Sequence, residues 1–240
     1  ALYFRIGTKL VYFGNLFQRN FARQYHTLGA LLAPKVNGVF VCCVGLRTDV
    51  YRQLAVRTHY GKHAGVTNQQ RIHACRRNIG ITAVVMNNNI YGMTGGQASP
   101  TTPEGAFAAT APYGAIDPVF DVCKLAEGAG ATFVARATVA NPMQCEQILK
   151  KAIEHQKKGF AVVEIVTYCH TQFGRKNKRS RPTDNIKYLK EHTVLKAQAD
   201  KMSPEELKDK IVVGEFVNIE TAREYTDRYN DVIARAQGKA

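Results

Sequence analysis

Acidic residues are almost missing from the first part of this 240-residue chain: Asp49 alone precedes Glu104, against twelve Lys and Arg. Most of the net charge of +14 therefore lies in the N-terminal part. Such a balance would suit nucleic acid or an acidic partner through non-specific attraction. The densest basic run, Gly174 to Arg181, has no aromatic residues alternating with its charges, as a single-strand platform requires. It reads as a solvated loop or a protein interface, and no nucleic-acid partner is expected. Apolar runs of bilayer length are also missing. The longest, Val36 to Leu46, falls short of the roughly 20 residues a membrane helix needs. Arg5, Lys9 and Arg19 interrupt the first segment, which excludes the continuous apolar core of a secretory signal. A soluble, cytoplasmic protein without a membrane partner is expected. No CxxC pair occurs among Cys42, Cys43, Cys75, Cys123, Cys145 and Cys169, so spacing suggests neither a zinc ribbon nor a disulfide framework.

What is present reads as one sizeable domain with a charged extension. From Ile81 the pattern is regular: "ITAVVM" is a short apolar run ending in three asparagines, as a buried strand entering a loop would be. Asp117-Pro118 opens a helical pattern through Val119, Phe120, Val122, Cys123 and Leu125, and "TFVARATV" then alternates as a strand. Asn141 and Pro142 supply an N-cap and first-turn proline for a helix with Cys145, Ile148, Leu149 and Ile153 on one face. "FAVVEIVTYC" is a further strand. The order strand, loop, helix, strand, helix, strand predicts an α/β fold, a parallel sheet with covering helices. "GVFVCCVGL" reads as another core strand. The expected organisation is an N-terminal part over 1–71, a core over 72–180 and a C-terminal extension over 181–240. The extension carries a strand-like "KIVVGEFV" and is expected to pack on a partner or on the outside of the domain.

Ligands of parallel sheets bind where loops leave the carboxyl ends of the strands. The loop after the first of these strands, Met86 to Gly105, holds Gly92, Gly95 and Gly96 among Thr94, Gln97, Ser99, Thr101 and Thr102, with no charge before Glu104. A metal-bridged diphosphate suits such a loop. Mg²⁺ takes hard oxygen ligands such as an Asn side chain and a main-chain carbonyl. Glycines let N–H groups approach phosphate oxygens, and Thr94 adds a hydroxyl. An ordinary surface turn fits the composition equally well.

"NNNIYGMTGGQASPTT" resembles the thiamine-diphosphate signature in the β subunit of 2-oxoacid:ferredoxin oxidoreductases. The similarity extends through "HACRRNIGITAVVM", "PYGAIDPVFDVCKLAEGAGATFVAR" and "TQFGRKNK", covering Ile72 to Lys178. "CHTQFGRKNK" and "KIVVGEF" are most similar to the 2-oxoglutarate branch. The resemblance implies a pyrophosphate-type domain in which Asn88, through its side chain, and Ile90, through its carbonyl, hold Mg²⁺. It places Gly92, Thr94 and Gly95 against the diphosphate of the cofactor. It further implies oxidative decarboxylation of a 2-oxoacid to acyl-CoA, with coenzyme A as acceptor and electrons passing through an iron–sulfur centre to ferredoxin. The carboxylate that activates the aminopyrimidine belongs to a partner α subunit in that family, so no catalytic residue is assigned to this chain.

Several family features are missing. Where the metal-binding Asp should stand, ungapped counting places Tyr60, between His59 and Gly61-Lys62, a poor neighbourhood for a divalent cation. Thr67 to Gln70 replaces a glycine-rich turn, and "YHTL" places His26 at a substrate-side position. Of four expected ligands to a 4Fe-4S cluster, Cys169 alone has a counterpart, and one thiolate cannot hold a cluster. Residues 1–71 accordingly read either as a truncated or misread N-terminal part or as that of a divergent subunit, for which a non-catalytic scaffold for the α subunit is the alternative function.

Overall fold

The computed structural model describes the backbone of residues 2–6, 9–13, 30–32, 39–45 and 68–238, with side chains from residue 72 onward. Nine strands are described: β1 (Leu2–Ile6), β2 (Lys9–Phe13), β3 (Ala30–Leu32), β4 (Val39–Gly45), β5 (Ile81–Asn87), β6 (Phe133–Thr138), β7 (Ala161–Val166), β8 (Thr193–Leu195) and β9 (Ile211–Asn218). The longer helices are α1 (Asn68–Arg77), α2 (Val122–Gly128), α3 (Pro142–His155), α4 (Pro182–His192) and α5 (Tyr225–Ala236). β1 and β2 form a separate antiparallel pair. The other strands form one sheet in the order β3-β4-β5-β7-β6-β9-β8.

The centre of that sheet, β5, β7 and β6, is parallel, as the alternation of strands and helices predicts. Parallel strands are covered on both faces and so read as nearly unbroken apolar runs. Every residue of β7 is buried. Period-two alternation sorts the side chains. Ile81, Ala83, Val85, Val134 and Val162 face α1 and α2, meeting Ala74, Cys75, Val122 and Ala126. Val84, Phe133, Ala135, Ala137, Val163 and Ile165 face α3, meeting Cys145, Ile148, Leu149 and Ala152. Helix α3 begins as expected, with Asn141 Oδ1 accepting from Gln144 N at 3.2 Å and Pro142 in the first turn.

Three local readings change. The sheet is mixed rather than wholly parallel, because β4 pairs antiparallel with β5 and β9 antiparallel with β6. Helix α2 starts at Val122, not at Pro118. Asp121 Oδ1 caps it by accepting from Cys123 N at 2.9 Å and Lys124 N at 3.0 Å, and Val119 is exposed. The strand "FAVVEIVTYC" ends at Val166, before a π-helical turn over His170–Gly174 in which both Phe173 N and Gly174 N donate to Cys169 O at 2.9 Å.

The segment after residue 180 is wired into the same sheet. β9 runs from Phe133↔Asn218 to Arg136↔Gly214 along β6, with a bulge between Val134 and Ala135. At the opposite end of the strands, Asn78 Oδ1 accepts from Thr132 Oγ1 and Phe160 N, each at 2.9 Å, while its Nδ2 donates to Lys158 O and Arg223 O. Because the Thr132 hydroxyl donates to Asn78, its lone pair faces His155 Nε2, 2.9 Å away, which makes Nε2 the donor. Burial, reinforced by Lys158, pushes the His155 pKa below its ordinary value.

An unfolded histidine titrates near pH ~6.5. As pH falls through that value the unfolded chain takes up a proton that folded His155 refuses, so stability declines until the folded pKa is reached. The slope is at most about 1.4 kcal/mol per pH unit for this group. Urea unfolding between neutral and mildly acid pH should show a steeper decline for the wild type than for His155→Gln, and equal slopes would refute the assignment.

Candidate functional site

The three asparagines leave β5 at the carboxyl end of the parallel centre. Asn87, the last strand residue, is buried, and its Oδ1 accepts from Asn89 N at 3.0 Å and Thr101 Oγ1 at 2.8 Å. The first of these bonds closes an Asx turn that holds Asn89 at φ 60, a left-handed conformation. Asn88 stands between them, half-buried, with its Oδ1 accepting from Ile90 N at 3.2 Å. Ile90 is fully buried, and its carbonyl accepts from Gly92 N at 2.9 Å. The two oxygens assigned to Mg²⁺ thus lie on one short turn.

The loop is closed on itself. Tyr91 N donates to Gln97 O and Gly96 N to Tyr91 O, while the Thr94 hydroxyl donates to Gln97 Oε1 at 2.6 Å. The Thr94 hydroxyl therefore latches the loop. The main-chain N–H groups of Thr94 and Gly95, both exposed, have no acceptor among the described residues and are open to solvent. Gly95 sits at φ 121 and Gly96 at φ 85, where a side chain is strained. The return limb is a polar cluster in which Ser99 N donates to Thr102 Oγ1 and Thr102 Oγ1 to Asn89 O, each at 2.8 Å.

Cys169 meets this loop. A Cβ added at Gly92 would lie 3.0 Å from Cys169 Sγ and 3.7 Å from Asn88 Nδ2. Asn88, Gly92 and Cys169 are therefore brought together, whereas Thr94 and Gly95 stand outward at the loop tip. Gln172, from the π-helical turn, lies beneath Gly96, where an added Cβ would meet its Oε1 at 2.7 Å. Such turns recur at functional sites.

For magnesium and a diphosphate the described donors fit: two neutral oxygens for an octahedral cation and outward N–H groups for phosphate oxygens. For an iron–sulfur cluster they do not. Cys75, Cys123 and Cys145 are buried in the core, and no second thiol groups with Cys169 among the described residues. Tyr60, Gly61, Lys62 and His26, together with the side chains of Cys42 and Cys43, lie outside the described residues. Arg179, which lies in the basic run read from the sequence as a solvated loop or a protein interface, is half-buried instead. Its guanidinium lies over the ring of Tyr188 at 3.8 Å and within 6 Å of the Tyr168 and Phe173 rings. Arg175, Lys176 and Lys178 are exposed.

A second polar group lies outside the sequence expectations. Glu164, in the middle of β7, is 2% exposed. Its Oε1 accepts from Asn87 Nδ2 at 2.8 Å and its Oε2 from Arg136 Nε at 2.7 Å, while Arg136 Nη2 reaches Asp121 Oδ1 at 2.7 Å. Burial alone would lower the Arg136 pKa, but the carboxylates of Glu164 and Asp121 more than offset it and raise it. Burial first, then Glu164, pushes the Cys123 thiol up, so it stays protonated beside Glu164 Oε2. Asp121, Cys123 and Glu164 converge as a set of metal ligands does, but Arg136 already bonds to both carboxylates and takes the place of a cation. The sequence carries a signal for this group: one charge inside each of two otherwise apolar strands, at positions directly paired in the sheet.

Residues 61–165 match the model of the thiamine pyrophosphate enzyme C-terminal TPP-binding domain. The chain is 48% identical over 188 residues to the 2-oxoglutarate synthase subunit KorB of Methanocaldococcus jannaschii, covering 78% of this chain and 68% of that protein. The chain belongs to the beta-subunit family of 2-oxoglutarate synthases. It is 42% identical to the Methanothermobacter marburgensis subunit, over 78% of this chain and 64% of that one. Its fold is similar to that of a 2-oxoglutarate:ferredoxin oxidoreductase from Magnetococcus marinus, a structure with 2-oxoglutarate, coenzyme A and succinyl-CoA bound. That match has a TM-score of 0.58 and 26% identity, over 74% of this chain and 60% of the other. The chain thus spans about two thirds of the length of these relatives.

Because the Gly92 site is crowded by sulfur rather than by backbone strain, Gly92→Ala should destabilise the chain by about 1–3 kcal/mol. Adding Cys169→Ala should restore most of that. Denaturant unfolding of the two single variants and the double variant measures the coupling, and strictly additive losses would show that the contact does not exist.

Proposed function

We propose that this chain is the thiamine-diphosphate-binding β subunit of a 2-oxoglutarate:ferredoxin oxidoreductase. The complex oxidatively decarboxylates the 2-oxoacid, passes the acyl group to coenzyme A and delivers the electron pair to ferredoxin. The observation that carries this reading is the uncharged turn at the mouth of the parallel strands, where Asn88 Oδ1, the Ile90 carbonyl and the outward N–H groups of Thr94 and Gly95 collect on one loop. Family membership names the ligand that such a turn would take.

Bound thiamine diphosphate supplies a carbanion nucleophile and an electron sink for decarboxylation. The chain's own residues bind and orient it. Asn88 and Ile90 offer neutral oxygens to Mg²⁺, Gly92 keeps the turn close to Cys169, and the Thr94–Gln97 latch holds the loop tip in one conformation. An α subunit is the partner that completes the site and supplies the activating carboxylate. If a 4Fe-4S cluster belongs to the complex, Cys169 is the candidate ligand from the described residues, and the remaining thiolates come from elsewhere. None of the described helices is long and apolar enough to cross a membrane.

Calorimetry on the chain reconstituted with its α subunit tests the central claim. Thiamine diphosphate with Mg²⁺ should bind with micromolar affinity, and Asn88→Ala should weaken it at least tenfold, about 1.4 kcal/mol. Absence of binding by the wild-type pair would sink the proposal and favour a non-catalytic scaffold. Ferredoxins are commonly acidic, so Arg175, Lys176 and Lys178 form a docking patch with charge complementary to the carrier. Reversing these three charges should slow ferredoxin reduction several-fold at low salt and much less at high salt. Equal rates at low salt would remove the patch from the account.

A further inference from the structure

The Asn87 amide is oriented by what lies behind it. Glu164 offers only acceptors, so Asn87 must turn its Nδ2 toward Glu164 Oε1, at 2.8 Å, and its Oδ1 toward the loop. There the oxygen holds Asn89 N–H at 3.0 Å and the Thr101 hydroxyl at 2.8 Å. Asn89 is the left-handed residue between the two oxygens assigned to Mg²⁺, and Thr101 belongs to the return limb. Glu164 is itself fixed from the other side by Arg136, which Asp121 holds at the start of α2. Asn87, Glu164 and Arg136 share one face of the sheet, since Arg136 pairs with Glu164 across β6 and β7 and Glu164 pairs with Val85, two residues before Asn87.

We propose that Glu164 is a positioning residue for the cofactor loop. Its carboxylate selects the amide orientation of Asn87, which holds the Asn88–Ile90 turn in its ligand-binding shape. The inference deepens the reading of the loop as the site for thiamine diphosphate and Mg²⁺ and rests on it for the ligand. Glu164 does not touch the ligand; it acts through Asn87. Outer partners of this kind alter metal affinity about 10- to 100-fold when they are changed.

The chemistry predicts a specific failure and a specific repair. In Glu164→Gln, Arg136 Nε claims the one remaining acceptor, so the new amide N–H₂ faces the N–H₂ of Asn87. Asn87 can escape only by flipping, which turns a donor toward the N–H of Asn89 and the hydroxyl of Thr101. Asn87→Asp alone sets a carboxylate against Glu164. In the double variant Asn87→Asp with Glu164→Gln, donor and acceptor are exchanged: the amide introduced on β7 donates to one oxygen of the new carboxylate, and the other oxygen still accepts from Asn89 and Thr101.

The test uses the full chain assembled with its α subunit, with thiamine diphosphate and Mg²⁺ as the probe. Each single variant should raise the cofactor Kd about tenfold or more, and the double variant should recover most of that loss. At saturating cofactor, turnover of Glu164→Gln should return close to the wild-type value, so the defect lies in binding. Hydrogen exchange at the Asn89 amide, measured without cofactor, should be faster in both singles and slow again in the double. An unchanged Kd and exchange rate in Glu164→Gln would overturn the proposal, as would a double variant no better than the worse single. If Glu164→Gln does not fold, Asn87→Asp and the double variant carry the test, and a double variant no better than Asn87→Asp in Kd and in Asn89 exchange overturns the proposal. If the wild-type assembly binds no thiamine diphosphate, the functional reading falls, and exchange at Asn89 alone decides the role of Glu164.

Discussion

A carboxylate enclosed by apolar strands is costly unless its charge and lone pairs are answered, and Glu164 is answered on three sides by Arg136, Asn87 and Cys123. That requirement organises the mouth of the sheet. Arg136 satisfies Glu164 and in turn needs Asp121, which is also the residue that starts α2. The bonds from Asn87 extend the same order into the loop. Core and site are therefore one polar assembly embedded in apolar packing, and the loop's shape is inherited from the strands beneath it.

Much of the fold is legible in the sequence because parallel strands and amphipathic helices leave strong periodic traces. β5, β6, β7 and α3 stand close to where their patterns place them, and Asn141 and Pro142 mark the start of α3. The antiparallel flanks are not legible. An eight-residue strand with one buried position, such as β9, carries little to say which neighbour it will join. The start of α2 is misplaced by pattern for a related reason. Val119 and Phe120 continue the apolar pattern backwards, but Asp121 ends the run of extended backbone by capping Cys123 and Lys124 with its own carboxylate.

The site is readable where it depends on local backbone chemistry and unreadable where it depends on long-range pairing. Three asparagines followed by clustered glycines announce an unusual turn, and the turn is there. The approach of Cys169 to Gly92 joins distant segments of the chain, which no local pattern records. Arg179 looks in sequence like one more charge in a basic run. Tyr168, Phe173 and Tyr188 instead draw it inward as the cationic centre of an aromatic box, so charge density along a sequence overstates the charge available at the surface.

The antiparallel pairing of β9 with β6 also bears on how this molecule could have been assembled or trimmed. Without residues 211–218, the outer edge of β6 would present its row of main-chain donors and acceptors to water and to other chains, the surface from which strand-to-strand aggregation grows. The charged C-terminal segment thus works as an edge guard: it closes the open side of the cofactor domain with a strand whose own outer edge is covered in part by the three-residue β8.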